Sequence, residues 1–424
     1  MLHEAVTPYY SPTTENFAVA LSGGGDSIAL LHALKDAPQF RFALIVDHGL
    51  REDSTREAEV TQRRAEEMGV AAHILRWTPG VLTSGLQEKA RQARYSLMGE
   101  FCRLVGVPKL LTAHHLDDQA ETLIMRYDKG TDWRGAAGMS SEVYAPIWPA
   151  LAGVTLCRPL LSISKTEILT YLKENSLEWI EDPSNANRQF TRVRIRQRLK
   201  ETPGYIGSVL KTAQALREAK STEREILTKQ ASQLLSLSEN GYAVLSGVPY
   251  PALLKHLLRL VSGTGGPIDH AQIRRALTQM RRPDFQALTL TGAQVSKFDK
   301  GFLLCRDPVA VKGRKNKELS KQITSALPAN GVFIWDGRFI ARTNKDEVTV
   351  APLLGQMSKL PGELLQKVKQ QPAKVRMTLP VWRAGREILG VGAGQFKGFR
   401  VECLAQQRLN AMLEKTWPIM NKNV

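Results

Sequence analysis

Short apolar runs and amphipathic stretches alternate along the first 115 residues. FAVAL (17–21), RFALIVDH (41–48), AHILRW (72–77) and KLLTAH (109–114) are aliphatic or β-branched runs with the length and character of buried parallel strands. Between them DSIALLHALKD, STREAEVTQRRAEEMG and LQEKARQARYSLMGEFCRLVG carry the wider apolar spacing of helices. Asp53, Ser54 and Thr55 offer N-caps to the second of these, and Gly69 offers a stop. This alternation predicts a doubly wound α/β domain with a parallel sheet, whose ligands bind beyond the carboxyl ends of the strands.

The pattern changes after a looped region rich in Gly, Pro and Trp (about 130–162), followed by a helix in SKTEILTYLKENS. From about 206 the periodicity is mainly helical. After about 325, GVFIWDGRFIART and LPVWRAGREILGVG read as hairpins, the first on an Asp-Gly turn. The expected organisation is therefore a doubly wound α/β catalytic domain over 1–205, a mainly helical domain over 206–322 and a small α+β domain over 323–424.

Composition narrows the function classes. With 43% hydrophobic and 23% charged residues in 424, the chain can build real cores, which excludes wholesale disorder. Four scattered cysteines without a CxxC pair argue against a disulfide framework and a zinc ribbon. The start MLHEAVTPYY lacks the basic-then-apolar pattern of a signal peptide, and no apolar stretch reaches membrane-spanning length. A cytoplasmic protein with no membrane partner is expected. The oligomeric state stays open, a homodimer included.

The net charge of +17 is clustered. Between Arg188 and Lys220 stand nine basic residues and only two acidic ones, Glu201 and Glu218, and Arg192, Arg194, Arg196 and Arg198 alternate with Val193, Ile195, Gln197 and Leu199. Such a run is either a solvated face or a phosphate contact. Arg274-Arg275, Arg281-Arg282 and KGRKNK (312–317) extend the bias, which favours a nucleic-acid partner.

Candidate chemistry begins at Ser22-Gly23-Gly24-Gly25-Asp26-Ser27, after a strand and opening a helix. Glycines let backbone N–H groups approach an anion at a helix N-terminus. A Walker loop would continue with Lys, but Ile28 follows here. The segment is either an ordinary strand-to-helix turn or a cradle for a phosphate ligand that brings magnesium, with Asp26 near the metal. In TAHHLDDQAETLIMR, Asp117, Asp118 and Glu121 share one helix face. They are dipole complements of a first turn, or contacts to magnesium or to a cationic amine. Adjacent His114 and His115 fit no zinc spacing. Arg91 and Arg94 share a helix face beside Tyr95, as surface residues or as ligand contacts.

The string S-G-G-x-D-S resembles the PP-loop of the N-type ATP pyrophosphatases, which cleave ATP to AMP and pyrophosphate. Taken together, LSGGGDSIALLHAL, VDHGLR, ARQARY, TAHHLDDQAET, WRGAAGM, RPLL and DPSNANRQFTRVRIR resemble the signature blocks of the tRNA(Ile)-lysidine synthases across about 20–200. That resemblance implies a two-step ligation. ATP adenylates C2 of the wobble cytidine of tRNA(Ile) with a CAU anticodon, and free L-lysine then displaces AMP. It implies ATP binding by Ser22, Gly23, Gly24, Gly25, Asp26 and Ser27, with Asp26 near Mg²⁺. It places Asp118 and Glu121 on the lysine ammonium with His114 nearby, Arg94 near the cytidine, and Arg192 and Arg196 near the α-phosphate or the adenylated intermediate. Lys129, Asp132 and Val193 depart from the family pattern. A PP-loop tRNA thiolase is the alternative, but it needs catalytic cysteines or a CxxC arrangement.

Overall fold

The structure, a computed structural model, describes residues 2–49, 53–78, 86–181, 194–195, 205–264, 268–312, 325–327, 331–343, 347–396 and 398–413. Arg192, Val193, Arg196 and the Asp182–Asn185 turn lie outside the described residues. Two compact units divide the chain, Met1–Arg224 and Glu225–Val424.

The first unit is built on a six-stranded sheet. Its strands are β1 (Phe17–Ala20), β2 (Phe40–Asp47), β3 (Ala72–Arg76), β4 (Lys109–Leu111), β5 (Glu142–Tyr144) and β6 (Thr155–Cys157), in the order β3-β2-β1-β4-β6-β5. All neighbours pair in parallel except β5, which runs antiparallel on the edge beside β6. The four strands expected from periodicity are contiguous, running from β3 at one edge through β2 and β1 to β4. β5 and β6, three residues each, are too short to show any alternation and complete the edge.

Helices α1 (Leu2–Val6), α2 (Gly25–Leu34), α3 (Ser54–Glu67), α4 (Leu86–Leu104), α5 (Leu116–Asp128), α6 (Trp133–Ala136), α7 (Lys165–Glu174) and α8 (Tyr205–Leu234) accompany it. Two cores flank the sheet. One joins Val19, Ile45 and Leu111 to Ile28, Leu31, Ala58, Ala65, Ile168 and Leu172 from α2, α3 and α7. The other joins Ala18, Leu44 and Leu110 to Tyr95, Met98 and Cys102 from α4. Apolar residues point to both faces of β1, β2 and β4, so their sequences are continuous hydrophobic runs, as burial between two helical layers demands.

The strand order reverses between β1 and β4. Chain following β1 turns toward β2 and β3, whereas β4 and β6 lie on the other side. Loops leaving the carboxyl ends of these two neighbours diverge and leave a crevice, the usual ligand position of an open α/β sheet.

In the second unit, α9 (Pro251–Ser262) and α10 (His270–Met280) pack on a five-stranded antiparallel sheet, β7-β8-β11-β10-β9. Its strands are Leu235–Leu237, Ala243–Leu245, Ala287–Leu290, Ala293–Phe298 and Gly301–Arg306 in chain order. The first two are three residues each, too short to show a period in the sequence. Two four-stranded antiparallel sheets follow, with the buried Trp382 at their core. Both expected hairpins are present, Val332–Trp335 with Phe339–Thr343 and Pro380–Ala384 with Glu387–Val391. Asp336 and Gly337 take positive φ at the first turn, as an Asp-Gly hairpin requires. Among the described residues no helix is long and apolar enough to cross a membrane.

Candidate active site

The glycine loop leaves β1 and enters α2 at its N-terminus. Gly24 is the N-cap, in extended geometry with no side-chain cap, so the first N–H groups of α2 are not taken by a capping side chain. Ser22 and Ser27 tie the loop across its base, with 3.1 Å between hydroxyls, and the Ser27 hydroxyl donates to Gly24 O at 2.8 Å. Gly23 O accepts from Ile180 N at 2.9 Å, which pins the loop from behind.

Gly23 has φ +82°, and a Cβ there would stand 2.4 Å from Thr61 Oγ1 of α3. Both conditions require glycine, since an L residue in this region costs about 1–2 kcal/mol before any clash. Gly23→Ala is therefore expected to lower the melting temperature by several degrees and to raise KM for ATP several-fold. A thermal scan beside ATP titration checks this, and wild-type values in both would refute it.

From the neighbouring β4, Thr112–His115 leads into α5. His114 bonds Thr112 Oγ1 through Nδ1 at 2.9 Å. His115, 3% exposed, is the N-cap of α5, and its N–H donates to Asp118 Oδ2 at 3.2 Å in a capping box. Its ring stands among three carboxylates. Nε2 is 3.7 Å from Asp26 Oδ2 and 3.5 Å from Asp118 Oδ2, and Nδ1 is 3.5 Å from Asp117 Oδ2. Burial opposes protonation of this ring. The hydrogen bond to Asp117 and the charges of Asp118 and Asp26 outweigh it and raise the pKa. In turn the His115 hydrogen bond, working against burial and assisted by Lys165 N–H, pulls Asp117 down to about 2. Asp117 and Asp118 are thus brought toward Asp26 of the glycine loop, with His115 between them. Asp118 is 17% exposed at its side chain and Glu121 is fully buried.

A cation completes this side of the crevice. Lys165, the first residue of α7, reaches Asp26 Oδ1 with Nζ at 2.6 Å, and its backbone N–H donates to Asp117 Oδ2 at 2.8 Å. Sequence reading passed over Lys165, although Ser164 and Glu167 spell a capping box that fixes it at the helix start.

At the carboxyl end of β2, Asp47 accepts from Gly49 N, Thr55 Oγ1 and Ser54 Oγ at 2.7–2.9 Å. Burial raises its pKa, and these three donors more than reverse the shift. The adjacent His48 meets Arg94 of α4, with Nε2 at 3.3 Å from Nε and 3.1 Å from Nη2. Arg94 therefore stands at the same end of the sheet as the loop. Burial, with Arg94 nearby, pushes His48 down to about 4.

The folded state then binds fewer protons than the unfolded chain between about pH 4 and the ordinary histidine value of 6.5. Stability from this site is present above 6.5 and is lost as pH falls through that window. His48→Gln should flatten the melting-temperature slope between pH 6.5 and 4 relative to wild type, and an unchanged slope would count against it.

Two departures from the family pattern have local explanations. Lys129 is the C-cap of α5, and Asp132 caps the one-turn α6, accepting from Gly135 N at 3.1 Å. The loop is held by Arg126 to Gly135 O and Gly138 O at 2.8 and 3.0 Å, and by the Arg134–Glu223 ion pair to α8.

Among the described residues no three His, Cys, Asp or Glu side chains gather as a metal cage. Asp26, at the loop itself, has a partly exposed side chain. One carboxylate beside a phosphate cradle fits magnesium, which commonly arrives on substrate phosphates and keeps few protein ligands.

Residues 2–202 match a family model described as a PP-loop domain. The chain is 31% identical over 357 residues to the tRNA(Ile)-lysidine synthase of Wolbachia pipientis wMel, covering 79% of each chain. It is 33% identical over 289 residues to the tRNA(Ile)-lysidine synthase of Hyphomonas neptunium, covering 66% of this chain and 78% of that one. Among solved structures, the U34-tRNA thiolase NcsA from Methanococcus maripaludis with its [4Fe-4S] cluster is similar at TM-score 0.41 and 21% identity, covering 51% of this chain and 78% of that chain.

Proposed function

Because the chain belongs to the tRNA(Ile)-lysidine synthase family, we propose that its crevice carries out both halves of lysidine formation. The protein is an ATP-using ligase that modifies tRNA(Ile). The observation that supports the two-step reading is the approach of Asp26 to the His115–Asp118 cap across β1 and β4, which brings the glycine loop and the acidic start of α5 together.

In the first step the C2 oxygen of the wobble cytidine attacks the α-phosphorus of ATP. The α–β bridge breaks and pyrophosphate leaves. Ser22–Ser27 hold the departing pyrophosphate through backbone N–H groups at the start of α2. Asp26 would help hold a magnesium ion, which would supply charge neutralisation to the phosphates. Arg94, oriented by His48, approaches the cytidine. Arg192 and Arg196 are assigned to the α-phosphate or the adenylated intermediate.

In the second step the ε-ammonium of free lysine gives up a proton to solvent, the resulting amine attacks C2, and AMP departs with the former C2 oxygen. Adenylation has turned a poor leaving oxygen into a good one, and alignment supplies much of the rest. Asp118 receives the incoming ammonium, Glu121 supports it from the buried side one turn on, and His114 lies beside them on the β4 loop. Residues 206–322 and 323–424 are assigned to the tRNA body.

The thiolase alternative is disfavoured by the cysteines. Cys102, Cys157 and Cys305 are buried, and burial pushes the first two thiols up to about 12, far from a reactive thiolate. The deciding experiment is mass analysis of a tRNA(Ile) transcript bearing CAU after incubation with ATP, Mg²⁺ and lysine. A lysine-sized adduct on the wobble cytidine supports the reading, and its absence overturns it.

A further inference from the structure

We propose that Lys165 is the cation missing from the glycine loop, an ammonium supplied by α7 that binds the pyrophosphate half of ATP, with Asp26 fixing its place. The inference rests on the lysidine-forming reading above.

The loop itself has no cation to offer. Ile28, where a Walker loop has Lys, is fully buried in the core beneath α2. Backbone N–H groups and the helix dipole provide only about half an elementary charge. A departing pyrophosphate carries several negative charges, so a full positive charge has to come from another element.

The neighbouring helix α7 provides one. It packs on α2 with Leu172 directly against Gly25, where an added Cβ would meet Leu172 Cδ1 at 2.9 Å. The α7 backbone start is fixed twice. Ser164 and Glu167 cap it, with Ser164 N to Glu167 Oε2 at 2.7 Å, and Asp117 holds Lys165 N–H at 2.8 Å. The side chain then places Nζ 2.6 Å from Asp26 Oδ1, beside the first turn of α2.

An ammonium has three donors, and the Asp26 contact uses one. With side chains 40% and 31% exposed, the pair is screened by water and contributes little to stability. Its consequence is positional: a compact, strongly charged donor stands at the mouth of a loop built to bind phosphate.

The rival explanation is that Lys165 only neutralises Asp26. Calorimetric titration of the full-length protein with inorganic pyrophosphate and, separately, with AMP separates the two. Lys165→Met should weaken pyrophosphate binding about tenfold or more and leave AMP binding unchanged, and Lys165→Arg should restore most of the loss. Wild-type pyrophosphate affinity in the Met variant, equal weakening of both ligands, or no measurable pyrophosphate binding by wild type would each overturn the proposal. Lysidine formation by the same wild-type preparation tests the underlying reading separately.

Discussion

Replacing Asp26 by Ala is expected to reduce lysidine formation by at least about 10²-fold, the scale seen when a preorganised charge contact is removed from an active site. Binding of tRNA(Ile) should stay near wild type, because the basic segments lie elsewhere in the chain. The structure says why the fold should survive. Asp26 is partly exposed at the start of α2, and its two partners keep other support. Lys165 remains anchored through its backbone to Asp117, and His115 keeps Asp117 and Asp118. Filter binding of labelled tRNA beside a lysine-incorporation assay reads both quantities. Parallel loss of binding and activity would show that Asp26 serves the fold and not the reaction.

Asp118 should divide the two half-reactions. In Asp118→Asn, tRNA-dependent pyrophosphate release should continue near the wild-type rate. Lysine incorporation at low lysine should fall about 10²-fold, since the amine loses its charged partner. The Asn variant is the informative one because Asp118 has a second duty. Its Oδ2 accepts from His115 N, and an amide oxygen can keep that bond. Asp118→Ala removes the cap as well, at about 1 kcal/mol of stability, and should melt earlier than Asp118→Asn. A wild-type KM for lysine in Asp118→Asn would refute the assignment.

The central sheet was legible because β1, β2 and β4 are buried on both faces and must be apolar throughout. The glycine loop and the Asp117–Glu121 face were legible because each is a local string with a local geometric meaning. Contacts made across the fold were not. Lys165 and Asp26 are 139 residues apart and meet only because β1 and β4 are neighbours and α7 packs on α2. Between the adjacent histidines no pattern decides. The turn into α5 sends His114 to Thr112 and His115 toward Asp26, and histidine is not among the residues that announce an N-cap. His48 was visible only inside a quoted block, because its contact with Arg94 spans 46 residues. The three-residue strands of both units escaped for a simpler reason: three residues contain no period.

The bond from Ile180 N to Gly23 O has a directional consequence. In a trans peptide the carbonyl of one residue and the N–H of the next point opposite ways. With the Gly23 carbonyl turned back onto residue 180, the Gly24 N–H faces away from it, on the outer side of the bend. A single rearward tether thus sets the orientation of this one peptide, its N–H outward and its carbonyl inward.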